Sequence, residues 1–262
     1  MTTESFNITD LFSLAGKVAL VTGGSRGIGY MIAEGYVTNG VKVYISARKA
    51  AACEAAAAEL SQIGTCIAVP ADLSTNDGRT ALVNYLQDNE EGLDILVNNA
   101  GAAWGAPFDE YPESGYDKVM DINVKAPFLL TRDLLPLLEK RATQSDPARV
   151  INIGSIDGLK VPSIDNFAYG PSKAAIHHLT RVLAVQLGPR YITVNAVAPG
   201  PFESKMTEWL LNNFQNHIEA GVPLGRIGEP TDMAGVAIYL ASRAAAYVTG
   251  VVIPVDGGIS LK

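Results

Sequence analysis

Cysteine is nearly absent from this chain: Cys53 and Cys66 are the two in 262 residues. Their spacing makes neither a metal knuckle nor a disulfide framework, so two reduced thiols are expected. Histidine is almost as scarce. His177, His178 and His217 do not cluster like metal ligands, and no metal is expected. His177 and His178 read as surface or interface groups. Long basic runs are missing too, and the net charge is −7. A phosphate-backbone binder needs a basic stripe, so nucleic acid is not expected as a partner. No apolar run approaches the roughly 18 residues of a membrane span. The opening "MTTESFNITDLFSLAG" lacks a positive n-region and a continuous apolar stretch, which argues against a signal peptide. A cytoplasmic protein with no membrane partner is expected.

What is present is apolar: hydrophobic residues make up 48% of the chain, enough for one large α/β domain. Short β-branched runs alternate with longer helical patterns. Strands are predicted at 17–22, 41–46, 66–69, 93–99, 148–155, 191–198 and 250–255, and helices at 27–39, 49–62, 75–90, 113–139, 169–187 and 230–242. Most strand runs are apolar on consecutive residues, which marks a parallel sheet covered on both faces. With right-handed crossovers this is a single-domain, Rossmann-type, doubly wound sheet over 1–262.

The segment 201–228 is long for a strand–helix connection. It reads as a substrate lid, with Met206, Leu210 and Phe214 on one helical face and Trp209 beside it, or as a surface insertion filling a satellite cluster.

"VALVTGGSRGIGYMIAEGY" runs from the first strand into the first long helix. Gly23, Gly27 and Gly29 let the backbone turn and approach a pyrophosphate, and the helix N-terminus offers free N–H groups. An NAD site would carry an acid about 20 residues on. "YISARK" has Arg48 there instead. Arg26 with Arg48, and Ser25 with Ser46, suit a 2′-phosphate, so NADPH/NADP+ is the expected cofactor.

"NFAYGPSKAAIHHLT" places Tyr169 four residues before Lys173, one helical turn apart. With ten tyrosines and ten lysines, chance supplies about 0.4 such pairs, so the surroundings must decide. Ser155 ends the fifth strand fourteen residues earlier. All three fall at the carboxyl edge of the sheet, beside the cofactor crevice. A free phenol has a pKa near 10. A nearby ammonium favours the phenolate and would tune Tyr169 for proton transfer to a carbonyl oxygen, with Ser155 orienting that oxygen. Asn123 lies in an apolar helical run, and Pro127 has no N–H to give its carbonyl, which frees that carbonyl to hold a water.

"TGGSRGIG", "NNAG", "NIGS", "YGPSK" and "NAVAPGPFES" together resemble the short-chain dehydrogenase/reductase family, over nearly the whole chain from about residue 14. The resemblance implies a catalytic set of Asn123, Ser155, Tyr169 and Lys173, with Lys173 also holding the nicotinamide ribose. It implies cofactor contacts at Gly23, Ser25, Arg26, Gly27, Ile28, Gly29, Arg48, Asp72, Leu73, Asn99, Ala100, Gly101, Tyr169, Lys173, Pro199, Gly200 and Ser204. Asp72 is alternatively a turn or cap residue. Ser204 stands where the family usually has threonine. Through "FSLAGKVALVTGGSRGIG", "GAAWGAPFDEYPESGYDKVM", "PARVINIGS" and "YGPSKAA" the chain is most similar to the NADPH-dependent 3-oxoacyl-[acyl-carrier-protein] reductases, those tied to rhamnolipid synthesis among them. That implies an acyl-thioester substrate, with Trp104, Phe108, Trp209, Leu210 and Phe214 along an apolar acyl site. Arg141 and Arg190 are candidates to meet an acidic acyl carrier protein. Another ketone or secondary alcohol as substrate, or a non-catalytic nucleotide sensor, are the alternatives. The apolar run at 113–139 implies a covering partner, hence a homo-oligomer, in this family often a tetramer.

Fluorescence titration tests the arginine argument. NADPH is expected to bind more tightly than NADH, and a clear NADH preference would contradict it.

Overall fold

A computed structural model of the chain describes residues 7–162, 164–205 and 207–262; Met206 and the Leu210 side chain, both assigned to the lid, lie outside what is described. A short helix, α1 (Ile8–Phe12), precedes a regular alternation. Its members are β1 (Val18–Thr22), α2 (Gly27–Thr38), β2 (Lys42–Ser46), α3 (Ala50–Leu60), β3 (Cys66–Ala68), α4 (Asn76–Asn89) and β4 (Ile95–Asn98). After β4 come α5 (Glu113–Met120), a π-helical turn at Asp121–Lys125, α6 (Ala126–Asp133), α7 (Leu135–Arg141) and β5 (Ala148–Ile153). The chain ends with α8 (Tyr169–Leu187), β6 (Ile192–Pro199), α9 (Glu208–Gly221), α10 (Pro230–Ala241) and β7 (Val252–Val255).

The seven strands form one sheet in the order β3-β2-β1-β4-β5-β6-β7, and every pair is parallel. This is the expected fold. Strand residues alternate between two buried cores. Ala19, Val21, Val43, Ile45, Val97 and Ile151 pack with α2, α3 and α10. Val18, Leu20, Tyr44, Leu96, Val150 and Val194 pack with α4, α6, α7 and α8. A strand buried on both faces has no polar side to alternate with, which is why these runs read as continuous apolar stretches. The strand order reverses between β1 and β4, and a crevice opens there at the carboxyl ends of the strands.

The run at 113–139 is not one helix. It winds as α5, slips into the π turn, resumes as α6 and stops at Leu134 before α7. Two prolines explain the departures. Pro127 has no N–H for the carbonyl four residues back, and the Ala126 N–H bonds Asp121 five residues back instead. Pro136 sits in the first turn of α7, where its missing N–H costs nothing.

At the opposite, amino edge of the sheet, Arg149 is almost wholly buried in β5. Its Nε donates to the Leu240 carbonyl at 3.2 Å, and its Nη2 donates to the Ser242 carbonyl at 2.9 Å and to Asp146 at 3.2 Å. Nη1 donates to the Pro147 carbonyl. A cation thus closes the carboxyl end of α10, where the helix dipole favours it. Burial nevertheless lowers its pKa from the ordinary arginine value.

Removing this side chain strands several buried carbonyls, while Asp146 keeps its pair with Lys17 at 2.5 Å. Arg149→Ala is expected to cost about 3–5 kcal/mol in denaturant unfolding. A loss under about 1 kcal/mol would show that water replaces the guanidinium freely.

Candidate active site

The glycine turn between β1 and α2 is held by the loop after β4. Gly23 has φ +67°, and a Cβ there would lie 2.7 Å from the Asn99 amide nitrogen. A Cβ on Gly29 would collide with the same nitrogen and with the Gly23 carbonyl. Neither position admits a larger residue without shifting the turn. Asn99 Nδ2 donates to the Thr22 carbonyl at 2.9 Å and to the Gly23 carbonyl at 3.2 Å. Thr22 Oγ1 in turn accepts from the Asn99 and Ala100 N–H groups at 2.9 and 3.0 Å. Asn98 points the other way, donating to Asn152 at 2.9 Å and Thr131 at 3.2 Å, and so braces β4 against β5. Gly24, beside the three glycines of the turn, packs so closely on Ile45 that a Cβ would come within 2.6 Å of it.

The first turn of α2 receives no side-chain cap from Arg26. Its N–H groups, with Ser25, Ile28 and the glycines, form a cradle for an anion. At the end of β2, the Ser46 hydroxyl is buried with no hydrogen-bond partner. Arg26 and Arg48 are exposed and make no ion pair among the described residues. The cradle, two unpaired guanidiniums and the absence of an acid at the end of β2 fit a dinucleotide bearing an extra phosphate. Asp72 accepts from its own turn, from Ser74 N–H at 3.0 Å and Ser74 Oγ at 2.6 Å. Those bonds, with the Arg48 charge, hold its carboxyl below the usual carboxylate range. Leu73 belongs to the core beneath that turn, and its carbonyl accepts from Arg79 at 2.9 Å.

At the far side of the crevice, Tyr169 opens α8 and Lys173 follows one turn later, its Nζ 5.4 Å from the phenol ring centroid. Lys173 is buried, and its Nζ donates to the Ile153 carbonyl at the end of β5, at 2.8 Å. Ser155 lies two residues past Ile153, its Oγ accepting from the Asp157 N–H at 3.1 Å. Gly101 lies close by: a Cβ on it would stand 3.8 Å from Lys173 Nζ. Asn123, in the π turn, accepts from Ala102 N–H at 2.9 Å through Oδ1. Its Nδ2 donates to the Ala102 carbonyl and to Ser172 Oγ, both at 2.9 Å. The side chain therefore ties the loop after β4 to α8, while Pro127 leaves the main-chain carbonyl without its usual donor.

Burial changes the electrostatics expected of this pair. It pushes the Tyr169 phenol up to about 12, the nearby Asp157 charge pushes the same way, and the Ser155 hydroxyl pulls against them. Burial also drops the Lys173 amine to about 8, opposed by Asp157. Without dinucleotide, burial sets the direction of the Tyr169 shift, opposite to the acidification expected from Lys173.

One further expectation is corrected. His177 is buried, not at the surface, with neither ring nitrogen hydrogen-bonded, and burial and Lys173 lower its pKa to about 4. Trp104 is half-buried, lying on Gly115 of α5 with Lys118 Nζ 5.0 Å from its ring centroid. Arg190 pairs with Glu139, and Arg141 stands 3.9 Å from Asp94. Both arginines sit at the amino edge of the sheet, away from the crevice.

Pro199 ends β6, and Gly200 packs on Asp256, where a Cβ would come within 2.7 Å of its Cα. Ser204 comes against Gly27, 3.2 Å from where a Cβ would be, so the 201–228 segment reaches the glycine turn. Its hydroxyl is 2.9 Å from that of Thr207, which also donates to the Phe202 carbonyl at 2.6 Å. Trp209 and Phe214 are exposed on α9 with ring centroids 5.8 Å apart, and the helix is kinked at Phe214. Phe108 and Phe167, also exposed, meet at 5.3 Å across the loops after β4 and β5.

Residues 23–260 match the family described as Enoyl-(Acyl carrier protein) reductase. The chain is 52% identical to the rhamnolipids biosynthesis 3-oxoacyl-[acyl-carrier-protein] reductase of Pseudomonas aeruginosa over 95% of its length and 98% of that protein. It superposes on the Pseudomonas aeruginosa RhlG/NADP active-site complex with a TM-score of 0.93 at 51% identity, covering 96% of this chain and 99% of that one. It is also 35% identical to 5-keto-D-gluconate 5-reductase of Escherichia coli, over 96% of this chain and 98% of that protein.

Lys173 carries a stability signature. Its amine titrates near 8 in the folded chain, below the ordinary lysine value, so the unfolded chain binds the extra proton between the two. Folding stability from this group is fully present above the unfolded value and is lost as pH falls through about 8. Without dinucleotide, Lys173→Met is expected to unfold at higher denaturant than wild type at pH 7, by up to roughly 3 kcal/mol, and the gap should close by pH 10. A gap that widens with pH would contradict this.

Proposed function

The chain belongs to the short-chain dehydrogenase/reductase family, and from that membership we propose that it reduces the 3-oxo group of an acyl thioester to a hydroxyl with NADPH. The observation that carries this reading is the Tyr169–Lys173 pair beside Ser155, facing a glycine cradle with arginines and no acid at the end of β2. NADP in the complex of the 51% identical relative supports the cofactor, and the name of the 52% identical relative supports the substrate.

The cradle of α2 holds the pyrophosphate, Arg26 and Arg48 hold the 2′-phosphate, and Asn99, Ala100, Gly101, Pro199, Gly200 and Ser204 line the rest. Asp72 and Leu73 flank the adenine end. The reduced nicotinamide, when bound, supplies a hydride to the carbonyl carbon. Ser155 Oγ hydrogen-bonds the carbonyl oxygen, and Tyr169 Oη gives that oxygen its proton. A phenol held near 12 is protonated throughout the neutral range, as a donor must be. Lys173 holds the nicotinamide ribose. The Asn123 carbonyl holds the water that links the lysine to solvent.

A sugar ketone is the second reading, favoured by the 35% identity to 5-keto-D-gluconate 5-reductase. The exposed Phe108, Phe167, Trp209 and Phe214 favour an acyl chain over a polyol, because a long alkyl chain offers more apolar area to bury against them. The 201–228 segment is the lid over that chain. The thioester is carried by acyl carrier protein or coenzyme A. Met120, Val124, Phe128 and Leu179 line an open apolar hollow between the π turn and α8. A second copy of the chain covers it, giving a homo-oligomer of the tetrameric kind. No helix among the described residues is long and apolar enough to cross a membrane, in keeping with a cytoplasmic enzyme.

A carbonyl panel tests the substrate. A 3-oxoacyl thioester is expected to give the highest kcat/KM with NADPH, and a keto sugar in that place would establish the second reading. Tyr169→Phe is expected to keep NADPH affinity while losing roughly 10²–10⁴-fold in turnover. Retained turnover would exclude Tyr169 as the donor.

A further inference from the structure

The chain beyond β7 meets three walls of the crevice. Asp256 opens a tight turn there, its Oδ1 accepting from Gly258 N–H and its Oδ2 from Ser260 N–H, both at 2.9 Å. The first wall is Gly200, which packs on Asp256 and donates its N–H to the Val255 carbonyl at 3.0 Å. The second is the end of the 201–228 segment, where the chain leaves α9 at Val222. A Cβ on Gly257 would come within 2.5 Å of Val222, and one on Gly258 within 3.0 Å of Pro223. The Gly257 carbonyl also accepts from Leu224 N–H at 3.2 Å. The third is the loop after β5, where Lys160 Nζ donates to the Ile259 carbonyl at 3.0 Å.

Lys160 continues the turn that Ser155 opens. Ser155 caps the 3₁₀ turn Ile156–Gly158, its Oγ accepting from Asp157 N–H at 3.1 Å, so the placement of the turn sets the placement of the hydroxyl. Gly158 N–H donates to the Ser155 carbonyl at 3.0 Å, and Lys160 N–H donates to the Ile156 carbonyl at 2.9 Å. The Lys160 side chain is half-buried and makes no ion pair among the described residues. Its ammonium instead bonds a main-chain carbonyl 99 residues away. In the sheet β6 lies between β5 and β7, so this bond joins loops whose strands do not pair. A charged donor makes it stronger than an ordinary hydrogen bond.

We infer that Lys160 is a positioning residue: by tying the Ser155 turn to the turn after β7, it fixes the spacing between the Ser155 hydroxyl and the base of the 201–228 segment. The inference rests on the function proposed above, in which Ser155 orients the carbonyl and that segment covers the acyl chain. A short substrate meets Ser155 alone. A long acyl chain is held at both walls, and its carbonyl meets Ser155 correctly only while the two keep their spacing. Misplacing an orienting group weakens the transition state more than the ground state, so the loss falls on kcat.

Lys160→Met keeps most of the side-chain length and removes the donor, whereas Lys160→Arg keeps a donor. Lys160→Met is expected to lower kcat for a medium-chain 3-oxoacyl thioester roughly three- to tenfold, with a smaller loss on acetoacetyl-coenzyme A and an unchanged KM for NADPH. Lys160→Arg should restore most of it. Hydrogen exchange of the free protein reads the tie without substrate. Leu224 N–H bonds Gly257, not Lys160, yet should exchange faster in Lys160→Met by a similar factor. Lys160→Ala removes the same donor and decides the matter if Lys160→Met does not fold. Unchanged exchange at Leu224, or equal losses on the short and long substrates, overturns the inference and leaves the proposed function standing. Absence of carbonyl turnover in wild type overturns the function, and the exchange at Leu224 then decides the role of Lys160 by itself.

Discussion

Burial of one amine at the carboxyl edge of the sheet is the constraint around which the rest of the site is arranged. Lys173 sits with its Nζ on the Ile153 carbonyl at 2.8 Å and little access to water. A lysine so placed loses hydration, and its pKa near 8 records that loss. Its surroundings are shaped to let it stay. Gly158 brings the turn after Ser155 against its main chain, Gly101 leaves room beside its ammonium, and Asn123 ties the loop after β4 to α8. The same burial holds the phenol of Tyr169 neutral, which suits a group whose task is to give a proton away.

Two polar ladders keep the halves of the crevice in register. One runs from Thr131 through Asn98 and Asn152 to Thr180, and crosses from β4 to β5 and α8. The other joins Thr22, Asn99 and the glycine turn. Buried hydrogen bonds of this kind are costly when half-made, so they fix the spacing between the anion cradle and the Tyr169–Lys173 pair. The switch point puts the crevice there, and the ladders set its width.

Much of this was legible in the residues. Strands buried on both faces left continuous apolar runs, and all seven were found within a few residues of their observed ends. The glycine turn was legible because close backbone approach admits no other residue, and Tyr169 because it opens a helix. Tertiary context hid the rest. The π turn depends on where Ala126 finds an acceptor, and Leu134 ends α6 with no local signal beyond Pro136. His177 looked like a surface group because its burial comes from Gly154, whose missing side chain makes room for the imidazole. Arg149 gave no warning that α10 would end against it. Spacing shows a lysine one turn from Tyr169 and says nothing of the water lost on burial, which sets the direction of the shift.

Burial keeps the Tyr169 phenol neutral, and the positive charge of a bound NADP+ nicotinamide beside it would favour the phenolate. Calorimetric binding of NADP+ at about pH 9, in buffers of different ionisation enthalpy, counts the protons released. Wild type is expected to release more than Tyr169→Phe, the difference being the Tyr169 proton. Equal release from the two proteins would contradict the account.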